Sequence, residues 1–318
     1  MAEFGLIDRI RARAGHGRDD VVLGIGDDAA LLLPPPGMQL VVSMDTLNDG
    51  VHFPPGTAAA DVGWKALAVN LSDLAAMGAE PAWCTLSLSL PGGDMAWVEG
   101  FLDGFLALAA EHRVALVGGD TTRGPLSVSV TVHGFADAGR ALRRDGAHVG
   151  DEVWVSGSLG GAAAALAQWR QGGARDPQLR ERLDRPQPRV ALGRALAGVA
   201  TACIDVSDGL VADLGHICAA SRVGVHLDVD ALPGGELLHG HVPHDAVRLL
   251  QATGGDDYEL CFTLPAGSAA VATAAAVAAK TGVKVTHVGR VVEGQAVCAF
   301  DRDGTPWQPP RSGHEHFA

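Results

Sequence analysis

The sequence predicts an α/β (α+β) protein of two domains. Helix-like and strand-like segments alternate along the whole chain, 47% of the 318 residues are apolar, and a polar, glycine-rich stretch interrupts the pattern near the middle. A chain of this length and apolar share accommodates two medium-sized cores more readily than one large one. An amphipathic helix is expected at 3–13, leading into the loop Gly24-Ile25-Gly26-Asp27-Asp28. The run Gln39–Ser43 reads as a buried strand and 62–78 as a long helix. A strand follows at 82–90, with Leu86, Leu88 and Leu90 alternating, then a helix at 94–112 and strands at 114–117 and 127–135. The stretch 137–151 puts a boundary near residue 148, giving domains 1–148 and 149–318. Beyond it come a strand at 151–156, an alanine-rich helix from Gly160, and helices near 188–200, 208–221 and 267–281. Strands are expected near 224–228, 258–264, 284–289 and 296–300, and the polar run 171–189 reads as a surface excursion.

Composition removes several function classes. A formal charge of −13 argues against a nucleic-acid binder working through a basic surface. No apolar run reaches the roughly 18 residues of a membrane span, and the first residues lack a signal-peptide core. Cys84, Cys203, Cys218, Cys261 and Cys298 are scattered and mostly set in apolar runs, so they read as reduced core thiols. The expectation is an acidic globular protein of the cytoplasm.

The chemistry is carried by aspartates. Many sit beside glycines or inside apolar segments: Gly26-Asp27-Asp28, Ser43-Met44-Asp45, Asn70-Leu71-Ser72-Asp73, Gly118-Gly119-Asp120, Asp205-Val206-Ser207-Asp208-Gly209 and Gly254-Gly255-Asp256-Asp257. In a helix, Asn70 and Asp73 share a face while Leu67, Leu71 and Leu74 share another. A carboxylate in such surroundings needs a partner, since leaving it buried and alone costs several kcal/mol. Singly, each has a plainer reading. Asp73 would face solvent or an arginine, Asp28 and Asp120 would be turn residues, and Asp205 or Ser207 would cap a helix. Six such sites at strand ends and helix starts point instead to one converging acidic cluster. Hard oxygen donors without Cys/His spacing indicate Mg²⁺ and, with it, a phosphorylated substrate.

Two look-alikes point elsewhere. His239-Gly240-His241 with His244 reads as a solvated loop, and Gly157-Ser158-Leu159-Gly160-Gly161 lacks the ending of a Walker loop and reads as a plain strand–helix turn. No serine or cysteine nucleophile signal is present.

The blocks GIGDDAALL (24–32), SMDTLNDGVHF (43–53), WKALAVNLSDLAAMGAEPAW (64–83), GGDTTRG (118–124), DVSDGLVADLGHI (205–217) and GGDDYELCF (254–262), in this order, resemble the thiamine-monophosphate kinase family of the aminoimidazole-ribonucleotide-synthetase-like superfamily. The resemblance spans nearly the whole chain. It implies a two-domain subunit whose N-terminal mixed sheet forms a barrel across a homodimer and whose C-terminal α/β domain completes the active site. It also implies ATP-dependent phosphorylation of thiamine monophosphate, without covalent nucleophile or general base. By matching position, Asp28, Ser43, Asp45, Asp73, Asp120, Asp205 and Asp208 stand as magnesium ligands. Met44, where many relatives carry threonine, offers only its backbone carbonyl. Gly119, Asp120, Arg144 and Ser207 fall at ATP positions, and His52, Asp256 and His314 at thiamine-phosphate positions. Asp256 replaces a frequent glutamate and His314 a frequent aromatic residue, which leaves His314 and Phe317 as alternatives for stacking on the thiamine ring. The runner-up is another ATP-using enzyme of the superfamily, selenophosphate or aminoimidazole-ribonucleotide synthetase-like, and after it a non-catalytic nucleotide-binding dimer. The first cysteine, Cys84, lies far from the N-terminal position that selenophosphate chemistry requires.

Overall fold

The computed structural model describes residues 3–15, 17–172 and 176–314. The chain separates into two compact units, Met1–Leu74 with Ala79–Gly139, and Ala75–Gly78 with Arg140–Ala318.

In the first unit, α1 (Glu3–Arg13) buries Leu6 and Ile10, and Ala14 just beyond it, along one face, at the four-residue spacing that stacks side chains on a helix. The short strands β1 (Val21–Leu23) and β2 (Leu31–Leu32) form an antiparallel ribbon around the Gly24–Asp28 loop. There follow β3 (Met38–Asn48), α2 (Ala59–Ala76), β4 (Glu80–Leu90), α3 (Met95–Glu111), β5 (Ala115–Arg123) and β6 (Ser127–Asp137). The four long strands run in the order β3-β6-β4-β5. Only β4 and β5 are parallel, and α3 makes the crossover that a parallel pair requires. Asp94 caps α3, accepting from the N–H groups of Ala96 and Trp97.

The two faces of this sheet differ. Val128, Val130 and Val132 of β6 and Leu86 and Leu88 of β4 are buried. On β3 the same register brings Ser43 and Asp45 to that face, and both contact α2. On the other face, Trp83, Phe135 and Val117 pack beneath Val21 and Leu32 of the β1–β2 ribbon. Next to that covered end, Leu40, Val42 and Met44 alternate along β3 at 50%, 53% and 60% exposure. The run Gln39–Ser43, expected as a buried strand, is therefore half open. It belongs to an edge strand covered on one face only.

The second unit contains β7 (Glu152–Ser156), α4 (Gly161–Arg170), α5 (Pro177–Asp184), α6 (Val190–Leu196), β8 (Ala202–Val206), α7 (Leu210–Ser221) and β9 (Gly224–Asp228). It continues with α8 (Gly235–Leu238), α9 (His244–Thr253), β10 (Glu259–Leu264), α10 (Ser268–Thr281), β11 (Val285–Val292), β12 (Val297–Phe300) and β13 (Pro306–Trp307). Its strands form one sheet in the order β13-β12-β9-β11-β7-β10-β8, antiparallel throughout except for β12 beside β9. Strands β8 and β10 are buried at every position, Asp205, Glu259 and Thr263 included.

The surface excursion expected over 171–189 contains a helix. Asp176 accepts from the N–H groups of Gln178 and Leu179, Pro177 takes the first turn, and Leu179 and Leu183 are fully buried in one cluster with Ala162, Ala164 and Ala165 of α4. Two leucines four residues apart are enough to seat an otherwise charged helix. His239, Gly240 and His241 lie exposed in a turn as expected, but His244 opens α9. Four cysteines are buried free thiols, whereas Cys298 is exposed on β12 near the sheet edge.

Candidate functional site

In the first unit, β3 and α2 assemble a small acidic centre. The Ser43 hydroxyl donates to Asp73 Oδ2, and the Asp45 N–H donates to Asn70 Oδ1 at 2.9 Å. Asn70 is buried and its amide also donates to the Ala66 carbonyl one turn back. Asn70 and Asp73 share a helix face, as their spacing predicts, and that face meets β3. Burial, and then the negative charge of Asp73, push the Asp45 carboxyl up to about 6. Met44, between Ser43 and Asp45, points its side chain to the open face of the sheet.

The turn after β3 carries His52. The Asn48 N–H donates to His52 Nδ1 at 3.0 Å, so the neutral ring carries its proton on Nε2. Lys65 of α2, 1% exposed, donates from Nζ to the His52 carbonyl at 3.0 Å. A buried ammonium thereby holds the turn from beneath.

Asp28 lies exposed in the β1–β2 loop. Asp120 is also exposed, and its register neighbours across the sheet are Ser87, Ser129 and Thr46. That row belongs to the open face, opposite Asp45, and β5 lies three strand spacings from β3, roughly 14 Å. Within one chain Asp120 is thus separate from the Ser43–Asp45–Asp73 centre. Gly119 has φ +149°, and a Cβ there would fall 1.8 Å from the Leu86 carbonyl oxygen, so the position admits only glycine.

In the second unit, main-chain bonds gather the remaining residues around the end of β8. Asp205 is buried in that strand. Oδ2 of Asp213, one turn into α7, accepts from the N–H groups of Ser207, Asp208 and Gly209 at 3.0, 3.1 and 3.1 Å. Burial and the charge of Asp208 push the Asp213 carboxyl up to about 7, against the pull of those three donors. The Asp256 N–H donates to the Ser207 carbonyl at 2.8 Å, and the His314 N–H to the Asp208 carbonyl at 3.0 Å. Ser207, Asp208, Asp256 and His314 therefore meet at one turn, two residues beyond Asp205 in the chain. Asp213 was not foreseen, although an acidic residue in the first turn of a helix after Asp-Gly is a recognisable capping signal.

The Gly157–Gly161 loop also differs from a phosphate cradle in what it binds. The Gly160 N–H donates to Asp257 Oδ2 at 2.7 Å, so the start of α4 is capped by the protein's own carboxylate.

Two family models, described as AIR synthase related protein, N-terminal domain, and AIR synthase related protein, C-terminal domain, match residues 26–136 and 148–301. The thiamine-monophosphate kinase of Salmonella typhimurium is 46% identical, over 99% of this chain and 98% of its own. The chain belongs to the thiamine-monophosphate kinase family. The crystal structure of thiamine-monophosphate kinase from Stenotrophomonas maltophilia K279a is similar at 54% identity and a TM-score of 0.88, covering 96% of this chain and 98% of the other. AaThiL complexed with AMPPCP and TMP is similar at 32% identity and a TM-score of 0.75, with 98% and 97% covered.

Of the positions expected from this kinase family, Arg144 is exposed between Arg143 and Asp145, whose side chains pair with each other. Phe317 lies outside the described residues. Among the described residues, no group of three or more His, Cys, Asp or Glu side chains stands together as a metal-holding set. The carboxylates occur as pairs and singly, with hydroxyl and amide oxygens beside them. An oxygen set of one or two carboxylates suits Mg²⁺, which keeps several waters and takes substrate phosphates as further ligands.

Proposed function

We propose that this protein transfers the γ-phosphoryl group of ATP to thiamine monophosphate, forming ADP and thiamine diphosphate in the last step of that cofactor's synthesis. The near-full-length identity to thiamine-monophosphate kinases carries this reading, and the complex of AaThiL with AMPPCP and TMP supports it. The acidic centres support it physically: two anionic reactants approach one another only where their charge is neutralised.

Ser43, Met44 through its carbonyl, Asp45 and Asp73 would hold Mg²⁺ at one centre of the first unit, Asp28 and Asp120 would hold it apart from that centre, and Asp205 and Asp208 would hold it in the second unit. When bound, Mg²⁺ supplies charge neutralisation between the two phosphate groups. The 1–148 domain binds metal and nucleotide and dimerises, and the 149–318 domain completes the site. Gly119, Asp120, Arg144 and Ser207 serve the nucleotide, with the Arg144 guanidinium countering phosphate charge. His52 presents Nε2–H as a hydrogen-bond donor to the thiamine phosphate. Asp256 and His314 contact the same substrate.

A phosphate monoester loses its second proton near pH 6, so the acceptor is already a nucleophilic dianion at neutral pH. Its oxygen attacks the γ-phosphorus in line while the bond to the β,γ-bridging oxygen breaks, with no phosphoenzyme. A homodimer formed through the open face of β3, β6, β4 and β5 brings the Gly119–Asp120 row of a second copy into the assembly.

The test is ADP release by the purified protein with ATP and Mg²⁺, comparing thiamine monophosphate, thiamine and no acceptor. Release only with the monophosphate is expected. Equal release with all three would overturn the reading, and a trapped aspartyl phosphate would contradict direct transfer.

A further inference from the structure

Five residues, Gly254–Tyr258, join α9 to β10, and two of them are backbone outliers. Asp256 and Tyr258 have φ of +69° and +50°, a left-handed conformation that residues with a side chain hold only where their surroundings enforce it. The enforcement is visible on both sides. The Asp256 and Tyr258 N–H groups donate to the Ser207 and Val206 carbonyls, at 2.8 Å each. Between them, the Asp257 carboxylate accepts from the Gly160 N–H at 2.7 Å and from the Ala162 N–H. Gly160, at the N-cap position of α4, has no side chain of its own, so Asp257 does the capping from almost a hundred residues away.

Glu259 anchors the other end. It is 1% exposed and accepts from the Ser156 hydroxyl at 2.6 Å and from Nε and Nη2 of Arg189, both at 2.6 Å. This two-point guanidinium grip fixes orientation as well as charge. Gly157 lies against it: a Cβ there would sit 1.9 Å from Glu259 Oε1. The Asp256 carboxylate takes a bond from within the turn itself, the Tyr258 hydroxyl donating to Oδ1 at 3.1 Å.

We propose that Asp257 is a positioning residue for the substrate: by capping α4 it holds the left-handed Asp256–Tyr258 turn so that the Asp256 carboxylate faces thiamine monophosphate. The inference rests on Asp256 contacting that substrate, as in the proposed function. Asp257 touches no reacting atom and acts through the backbone of its neighbour. The Gly160 bond is an acceptor bond to Oδ2, so the amide oxygen of an asparagine keeps that part of the cap.

The experiment compares Asp257→Ala, Asp257→Asn and the parent protein, measuring KM for thiamine monophosphate and for ATP separately, with kcat. Asp257→Ala is expected to raise KM for thiamine monophosphate at least tenfold and leave KM for ATP within twofold, while Asp257→Asn stays within threefold of the parent on both. An unchanged KM for thiamine monophosphate in Asp257→Ala overturns the proposal. So does a parallel rise in both KM values, or failure of the Asn variant to rescue, because those results describe general loosening. If Asp257→Ala does not fold, Asp257→Glu takes its place. It lengthens the tether by one methylene and must raise the same KM selectively. Amide hydrogen exchange gives a reading that needs no substrate: Gly160 and Ala162 must exchange at least tenfold faster in Asp257→Ala or Asp257→Glu than in the parent. Absence of thiamine-monophosphate-dependent turnover in the parent would count against the proposed function, and unchanged exchange at those two amides against the cap.

Discussion

Asp45 is the residue at which local chemistry and proposed activity meet most closely. Its N–H is tied to Asn70 while its carboxyl is crowded by Asp73 and by burial. Asp45→Asn leaves the backbone bond to Asn70 in place. It should lower kcat/KM by more than about a hundredfold, while above pH 6 the metal-free variant melts no lower than the parent, since the change removes a buried charge and no packing. The direction of the pKa shift gives a second prediction. With the carboxyl raised to about 6 in the metal-free protein, protons compete with Mg²⁺ below that pH. Mg²⁺ affinity, measured by calorimetry, should fall by up to about tenfold per pH unit below 6 and level off above it. A flat profile from pH 5 to 8 would remove Asp45 from the ligand set. The same shift makes the metal-free fold relatively more stable below the ordinary carboxylate range and less stable as pH rises through 6.

Elements follow their sequence patterns where one face is buried and lose them where tertiary context takes over. Helix α2 was legible because its Asn70–Asp73 and Leu67–Leu71–Leu74 faces are distinct, and the structure seats each as the spacing demands. Helix α5 was not legible from hydropathy, because only Leu179 and Leu183 of its eight residues are apolar and buried; its signal is the Asp176–Pro177 start. Leu179→Ala should therefore destabilise by about 2–5 kcal/mol in denaturant unfolding while leaving turnover per folded molecule within twofold. The ribbon β1–β2 was missed for a different reason. Strands of three and two residues carry no periodicity, and what holds this one is Trp83, which also donates to Asp20 at 3.0 Å. At the candidate site, the Asp-Gly blocks fall at strand ends and helix starts, where their composition puts them. The clamps behind them, Asp213, Asp257 and the Arg189–Glu259 pair, are single residues whose partners lie far away in sequence or on the backbone, and no local pattern encodes such pairings.

At the scale of the whole molecule, the alternation of segments was enough for two α/β units, and no described helix is long and apolar enough to cross a membrane. What the alternation did not carry is that the first sheet leaves one face open, with Leu40, Val42 and Met44 in a row. An exposed apolar edge of this kind calls for a covering surface. Under the proposed homodimer, Val42→Asp should produce a monomer in sedimentation velocity and lose activity, since a charge is then forced into the interface. A fully active monomer would separate the open face from function.

In the proposed reaction, oxygen ligands hold divalent ions next to two phosphate groups. Anomalous scattering from Mn²⁺, in crystals grown with a non-hydrolysable ATP analogue and thiamine monophosphate, reads this directly. Peaks within ligand distance of Asp45 and Asp73, and of Asp205 or Asp208, are the predicted result. Ordered nucleotide and thiamine phosphate with no metal peak at those carboxylates would contradict it.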